Sequence, residues 1–76
     1  MSMADLELVR ERLAGLADEL ADAAMAALRE AIAAGERRPA RERKLTQARR
    51  SVEKAVHVID GLVDDDRRDS EAVDDL

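Results

Sequence analysis

Hydrophobic side chains recur every three or four residues in the first half of the chain, and polar side chains fill most positions between them. The large ones are Leu6, Val9, Leu13, Leu16 and Leu20, and alanines continue the stripe as far as Ala34. This spacing is typical of an α-helix that packs along another helix. It predicts helix 1 over residues 3–34. Ser2 and Asp5 are its expected capping pair, and Gly35 is the residue expected to end it.

A second stripe with the same spacing follows a short polar connection, the predicted loop 35–38. Its members are Leu45, Ala48, Val52, Ala55, Ile59 and Leu62. The stripe predicts helix 2 over residues 39–63, and Pro39 suits the first position of a helix. A loop of about four residues favours an antiparallel pair. Residues 64–76 open with three aspartates, which oppose the helix macrodipole at a C-terminus, so we expect a flexible, disordered acidic tail there.

Apolar residues extend beyond the two stripes that one hairpin can cover. Met25, Leu28 and Ile32 form a second row on helix 1, and further valines widen the stripe of helix 2. Exposed apolar rows usually mark interfaces. We therefore expect an all-α fold in which a coiled-coil-like antiparallel hairpin, residues 1–63, dimerises into a four-helix bundle. The alternative is a loose monomer. The predicted dimer interface comprises Leu13, Leu16, Leu20, Met25, Leu28, Ile32, Val52, Val56, Val58, Ile59 and Leu62.

Composition narrows the classes of function. The 76 residues include no Cys and no aromatic residue, so disulfides, thiolate metal sites and stacking platforms for bases are absent. No apolar run suits a membrane span, and the start does not resemble a signal peptide, so we expect a cytoplasmic protein without a membrane partner.

Charge is segregated along the chain, although the formal net charge is only −5. Residues 1–34 and 64–76 are acidic, whereas residues 35–63 carry eight bases and four acids. Opposite charges on the two helices favour their pairing, and a basic cluster can also contact phosphate backbones. Both interpretations stay open. The candidate nucleic-acid contacts are Arg37, Arg38, Arg41, Arg43, Lys44, Arg49, Arg50 and Lys54.

The sequence shows no arrangement of residues typical of a catalytic, metal or cofactor site. His57 has Glu53 and Asp60 on its own face of helix 2, but this row is expected to point outward, so we predict no metal site. No nucleophile has a partnered base and the glycines are far apart, so we predict no catalytic residue and no cofactor. The sequence favours a non-enzymatic homodimeric module for protein–protein interaction, adaptor or regulatory work. An unidentified protein partner would bind the Met25–Ile32 row or the basic helix; the alternative is a nucleic-acid-associated regulator.

Overall fold

The computed structural model describes residues 1–74, with side chains described through residue 68. Its two long helices, α1 (Met3–Ala33) and α2 (Ala40–Asp74), pack against each other as an antiparallel hairpin. The hairpin measures 65 × 17 × 14 Å. The predicted all-helical hairpin is confirmed. Neither helix, in the part of the chain described, contains a stretch long and apolar enough to cross a bilayer.

Both ends of α1 are closed by local hydrogen bonds. At the start, the Asp5 N–H donates to the Ser2 hydroxyl and the Ser2 N–H donates to the Asp5 carboxylate, each at 3.2 Å. At the other end, Gly35 adopts φ +75° and the Glu36 N–H donates to the Ala31 carbonyl at 2.9 Å. This is a Schellman motif, and its left-handed residue favours glycine because a Cβ would be strained there. The turn therefore directs the chain back along α1.

The C-terminal end of α2 differs from the sequence expectation. The stripe predicts an end near residue 63 and a flexible tail over 64–76, but α2 continues to Asp74, and residues 75–76 lie outside those described. Contacts with α1 reach to and beyond the predicted end, because Val63 is buried and the Arg67 guanidinium lies 3.2 Å from the Glu7 carboxylate. The tail of the sequence is thus a continuation of the helix over most of its length.

A second cross-helix pair, between Arg10 and Asp60, fixes the register of the hairpin. The hydrogen bond and charge of Asp60 raise the pKa of Arg10 above its ordinary value. Arginine is already protonated at neutral pH, so the contact stabilises the fold throughout the physiological range. Counting six residues along each helix from this pair reaches Leu16 and Lys54, which therefore lie at the same level.

The contact between the helices follows the predicted stripe at Ala24, Ala27 and Ala31, but it departs from the predicted stripes by one position at two other places. Ala17 is buried in place of Leu16, and Val63 is buried in place of Leu62. Small residues let two helix backbones approach closely, so alanines of α1 form the buried centre of the contact. Larger side chains such as Leu13, Leu20 and Ile59 are half-buried around it. The buried hydrophobic residues of the described chain are Ala17, Ala24, Ala27, Ala31 and Val63. The hairpin consequently leaves much of its leucine and valine surface uncovered.

Candidate interaction surface

The hairpin has two broad faces, and grooves along the helix contact show which residues belong to each. One groove is lined by Ala14, Ala17, Asp18, Ala21, Arg49, Glu53, Val56 and His57. We call this side, defined by Asp18, Glu53 and His57, the polar face. A groove on the opposite side is lined by Ala23, Ala26, Ala27, Glu30, Arg41 and Leu45. The two sets do not overlap, because they occupy opposite flanks of the same helix contact.

Heptad spacing assigns the remaining side chains to these faces, because seven residues make almost two helical turns. Val9 and Leu16 precede Ala23 at this spacing, and Ala48, Ala55 and Leu62 follow Arg41. These two rows therefore share one side of the hairpin, which we call the apolar face. Val58 borders the α2 row, four residues before Leu62. The face thus combines large apolar side chains from both helices.

The apolar face is open to solvent. Leu16 is 50%, Val58 60% and Leu62 53% exposed. Single exposed apolar residues are ordinary in proteins, but a row contributed by two adjacent helices is the pattern of an interface. Leu16 and Leu62 were predicted as contacts within the hairpin as well as interface residues. The structure places them outside the intramolecular contact.

The other predicted interface residues divide into two groups. Met25 and Ile32 are exposed but follow Asp18 at heptad spacing, so they lie on the polar face, away from Leu16 and Leu62. The rest are half-buried at or beside the contact between the helices: Leu13, Leu20, Leu28, Val52, Val56 and Ile59. The predicted set therefore does not form one continuous surface.

The basic cluster is also distributed rather than concentrated. Arg49 Nε lies 3.0 Å from the Glu53 carboxylate, though not in hydrogen-bonding geometry, and Arg41 lies 4.0 Å from Glu30. The exposed members outside these pairs are Arg37, Arg38, Arg43, Lys44, Arg50 and Lys54. Helical geometry places Arg43 and Arg50 in the row of His57 on the polar face, Lys54 on the outer ridge of α2, and Arg41 on the apolar face. Acidic side chains of the hairpin thus neutralise only part of the cluster.

The side chains that could bind a metal or act as nucleophiles do not come together in one site. His57 lines the groove of the polar face beside Glu53, and no group of three or more potential metal ligands comes together among the residues described. The Thr46 hydroxyl donates to Glu42 and the Ser51 hydroxyl donates to the Gln47 carbonyl, both one turn earlier in α2. Bonds of this kind leave the hydroxyls engaged with their own helix.

Comparisons with protein-family models, with curated proteins and with solved structures give no match to this chain. The candidate site therefore stands on geometry alone, and the apolar face is its most distinctive feature. Sequence reasoning missed that Leu16 and Leu62 point away from the helix contact. The available signal was the adjacent pair of apolar residues at each place, Leu16–Ala17 and Leu62–Val63, of which only one member can face the partner helix.

Proposed function

We propose that this protein is a non-enzymatic module for protein–protein interaction whose working form is a cytoplasmic homodimer. Two hairpins pack through their apolar faces into a four-helix bundle. The observation that carries this proposal is the exposure of Leu16, Val58 and Leu62 on one face built from both helices. A second copy supplies a surface of the same shape and chemistry, as a two-fold interface requires.

The energetic need for a partner supports the same proposal. The buried residues of the described chain are four alanines and one valine. No large side chain in that part of the chain is fully buried. Domains of this size seldom gain enough stability from a single small core, and oligomerisation is a common remedy. Packing the apolar faces together removes from water the large exposed apolar side chains of α2, Val58 and Leu62.

Multi-angle light scattering of the purified chain tests the dimer. The expected mass is twice that of the 8.4 kDa chain. Leu62→Glu is expected to give monomers, because a buried unpaired carboxylate is costly. The matched control is Met25→Glu on the polar face, which should remain dimeric. Because Leu62→Glu can also unfold the hairpin, Leu62→Ala is measured in parallel. A wild type that is monomeric and fully helical would refute the proposal.

A second candidate function, contact with nucleic acid, rests on the solvent-exposed side of α2 that faces away from the apolar face. Arg43, Arg50 and Lys54 are exposed there and make no ion pair with the described carboxylates. Phosphate contacts of this kind weaken steeply as salt rises. Retention on heparin well above physiological salt, lost in an Arg43→Ala/Arg50→Ala variant, would favour this function. Elution at low salt favours the protein-interaction module.

A further inference from the structure

The apolar face carries charged residues along its outer edges, and their order is informative. On α2, the residues beside the apolar row run Lys44, Ser51, Val58 and Asp65 at heptad spacing. A cation therefore lies toward the loop, apolar and small residues occupy the middle, and an anion lies toward the open end of the hairpin. Lys44 and Asp65 are both exposed, and neither is in an ion pair with another described residue.

The edge of α1 also carries one cation and one anion, over a shorter span and in the reverse order, with the cation toward the open end and the anion toward the loop. Arg12 and Glu19 flank Leu16 on the outer side of the apolar face, again at heptad spacing. Both side chains are exposed, and neither is in an ion pair among the described residues. Each edge therefore complements itself when a second copy runs in the opposite direction, because the cation of one copy then meets the anion of the other.

The two edges share one centre. The midpoint between Arg12 and Glu19 lies beside Leu16, and the midpoint between Lys44 and Asp65 lies between Lys54 and Ala55. The Arg10–Asp60 pair places Leu16 and Lys54 at the same level of the hairpin. A single two-fold axis across the hairpin at this level therefore brings all four charges opposite their complements. The match of two independent edges at one level is what carries the inference.

We propose that the partner on the apolar face is a second copy lying antiparallel, with the two loops at opposite ends of the bundle. This inference rests on the proposed dimer and specifies its orientation. Helix α1 then packs on α1 of the other copy, and α2 packs on α2. The rim contains Arg12–Glu19 and Lys44–Asp65 pairs between copies, each formed twice. Charges at such flanking positions set the orientation of packed helices.

The opposite orientation, with both loops at one end, has the wrong charges. In that orientation α1 packs on α2 of the other copy. Residues at the same distance from the loop in the two copies then lie opposite each other. Lys44 then lies beside Ala26, Arg12 lies beside Val58, and Asp5 lies beside Asp65. That arrangement forms no complementary rim pair and places like charges together twice. Electrostatics therefore distinguishes two orientations that bury the same apolar residues.

Distances between nitroxide labels test the orientation directly, and the chain has no native cysteine to interfere. A label at Arg38→Cys marks the loop. Loops at opposite ends lie roughly 50 Å apart, from about 1.5 Å per residue between the loop and the axis on each copy. Loops at one end lie roughly 20 Å apart, or about two helix spacings. A label at His57→Cys is the control, because it lies near the level of the axis but on the outward polar face. The thickness of the bundle sets its distance, which is therefore similar in both orientations.

Charge exchange provides the second measurement. Lys44→Glu and Asp65→Lys are each expected to weaken the dimer roughly five- to tenfold at low salt, since exposed ion pairs contribute modestly. Lys44→Glu/Asp65→Lys, which keeps the net charge, should restore the wild-type dissociation constant to within about twofold. The controls Lys54→Glu and Asp22→Lys change charge equally, away from the apolar face, and should have small effects.

The outcomes separate the two proposals. A monomeric wild type overturns the dimer itself, and with it the orientation. A dimer with a short loop-to-loop distance overturns only the orientation. In that case Asp65→Lys should strengthen association, because it removes the repulsion with Asp5, and the double variant should not restore the wild-type value. A long loop-to-loop distance together with restoration supports the antiparallel dimer.

Discussion

Replacing Val58 by alanine should weaken the dimer while leaving the hairpin almost unchanged. The side chain is 60% exposed in the hairpin, so its removal costs the isolated chain little. The change deletes two methylene equivalents at about 0.8 kcal/mol each, and about three-fifths of that contribution is realised only when a partner covers the site. The loss is therefore about 1 kcal/mol per copy and about 2 kcal/mol per dimer.

That free energy corresponds to a dissociation constant roughly 30-fold higher, at about 1.4 kcal/mol per tenfold change. Sedimentation equilibrium with interference optics measures it, because a chain without Trp or Tyr has little absorbance at 280 nm. The matched control is Ile32→Ala, at a side chain 68% exposed on the polar face, which should shift the constant less than about twofold. Equal effects of the two substitutions, or none from Val58→Ala, would refute the assigned interface.

Local features of the hairpin give three further predictions, each checked by chemical denaturation. Gly61→Ala should stabilise the helix by about 1 kcal/mol, since a Cβ there meets nothing within 4 Å, whereas Gly35→Ala should destabilise by about 1–2 kcal/mol because φ is +75°. The same sign for both would contradict this account. Ser2→Ala should cost about 1 kcal/mol through loss of the cap, and no change would mean that the cap frays in solution. A double-mutant cycle on Arg10 and Asp60 should give below about 1 kcal/mol, falling in molar salt, because both side chains are over one-third exposed. A salt-insensitive value would point to packing instead.

Much of the fold could be predicted because local signals agree with one another. The a/d spacing predicts the first helix, the Ser2–Asp5 pair marks its start, and Gly35 marks its end to within one residue of where α1 ends. The short loop then leaves the second helix antiparallel. These features depend on nearby residues and elementary backbone geometry, so they can be read without knowledge of the rest of the chain.

Two features could not be read correctly because they depend on contacts between distant residues. The prediction that Leu16 lies in the helix contact assumes that the larger of two adjacent apolar side chains is buried. Close packing of the helices favours the smaller side chain, that of Ala17. The predicted end at residue 63 depends only on the unfavourable interaction of the aspartates with the helix macrodipole. It takes no account of the contact between Arg67 and Glu7, which are far apart in sequence. In both cases the difference lies at a contact between the two helices, which local sequence signals do not contain.

The candidate interface shows the same limit. Periodicity identified an excess of apolar residues, but it did not divide them between the two faces. Met25 and Leu16 belong to two hydrophobic rows of one helix, α1, and these rows lie on opposite flanks of the contact with α2. Only the register of the hairpin, fixed by the cross-helix pairs, allows that distinction.

The same cross-helix pairs imply an order of folding. Glu30 and Arg41 are close in sequence, whereas Arg10–Asp60 and Glu7–Arg67 join residues 50 and 60 positions apart. Loop-closure entropy grows with that separation, so the hairpin should close from Gly35 outward like a zipper and open in reverse. In the antiparallel dimer, the late-closing end of each copy lies beside the early-closing loop of the other. Association would thus stabilise the open end of each hairpin, which is the segment that frays first. Amide exchange at this end should slow most as the protein concentration rises.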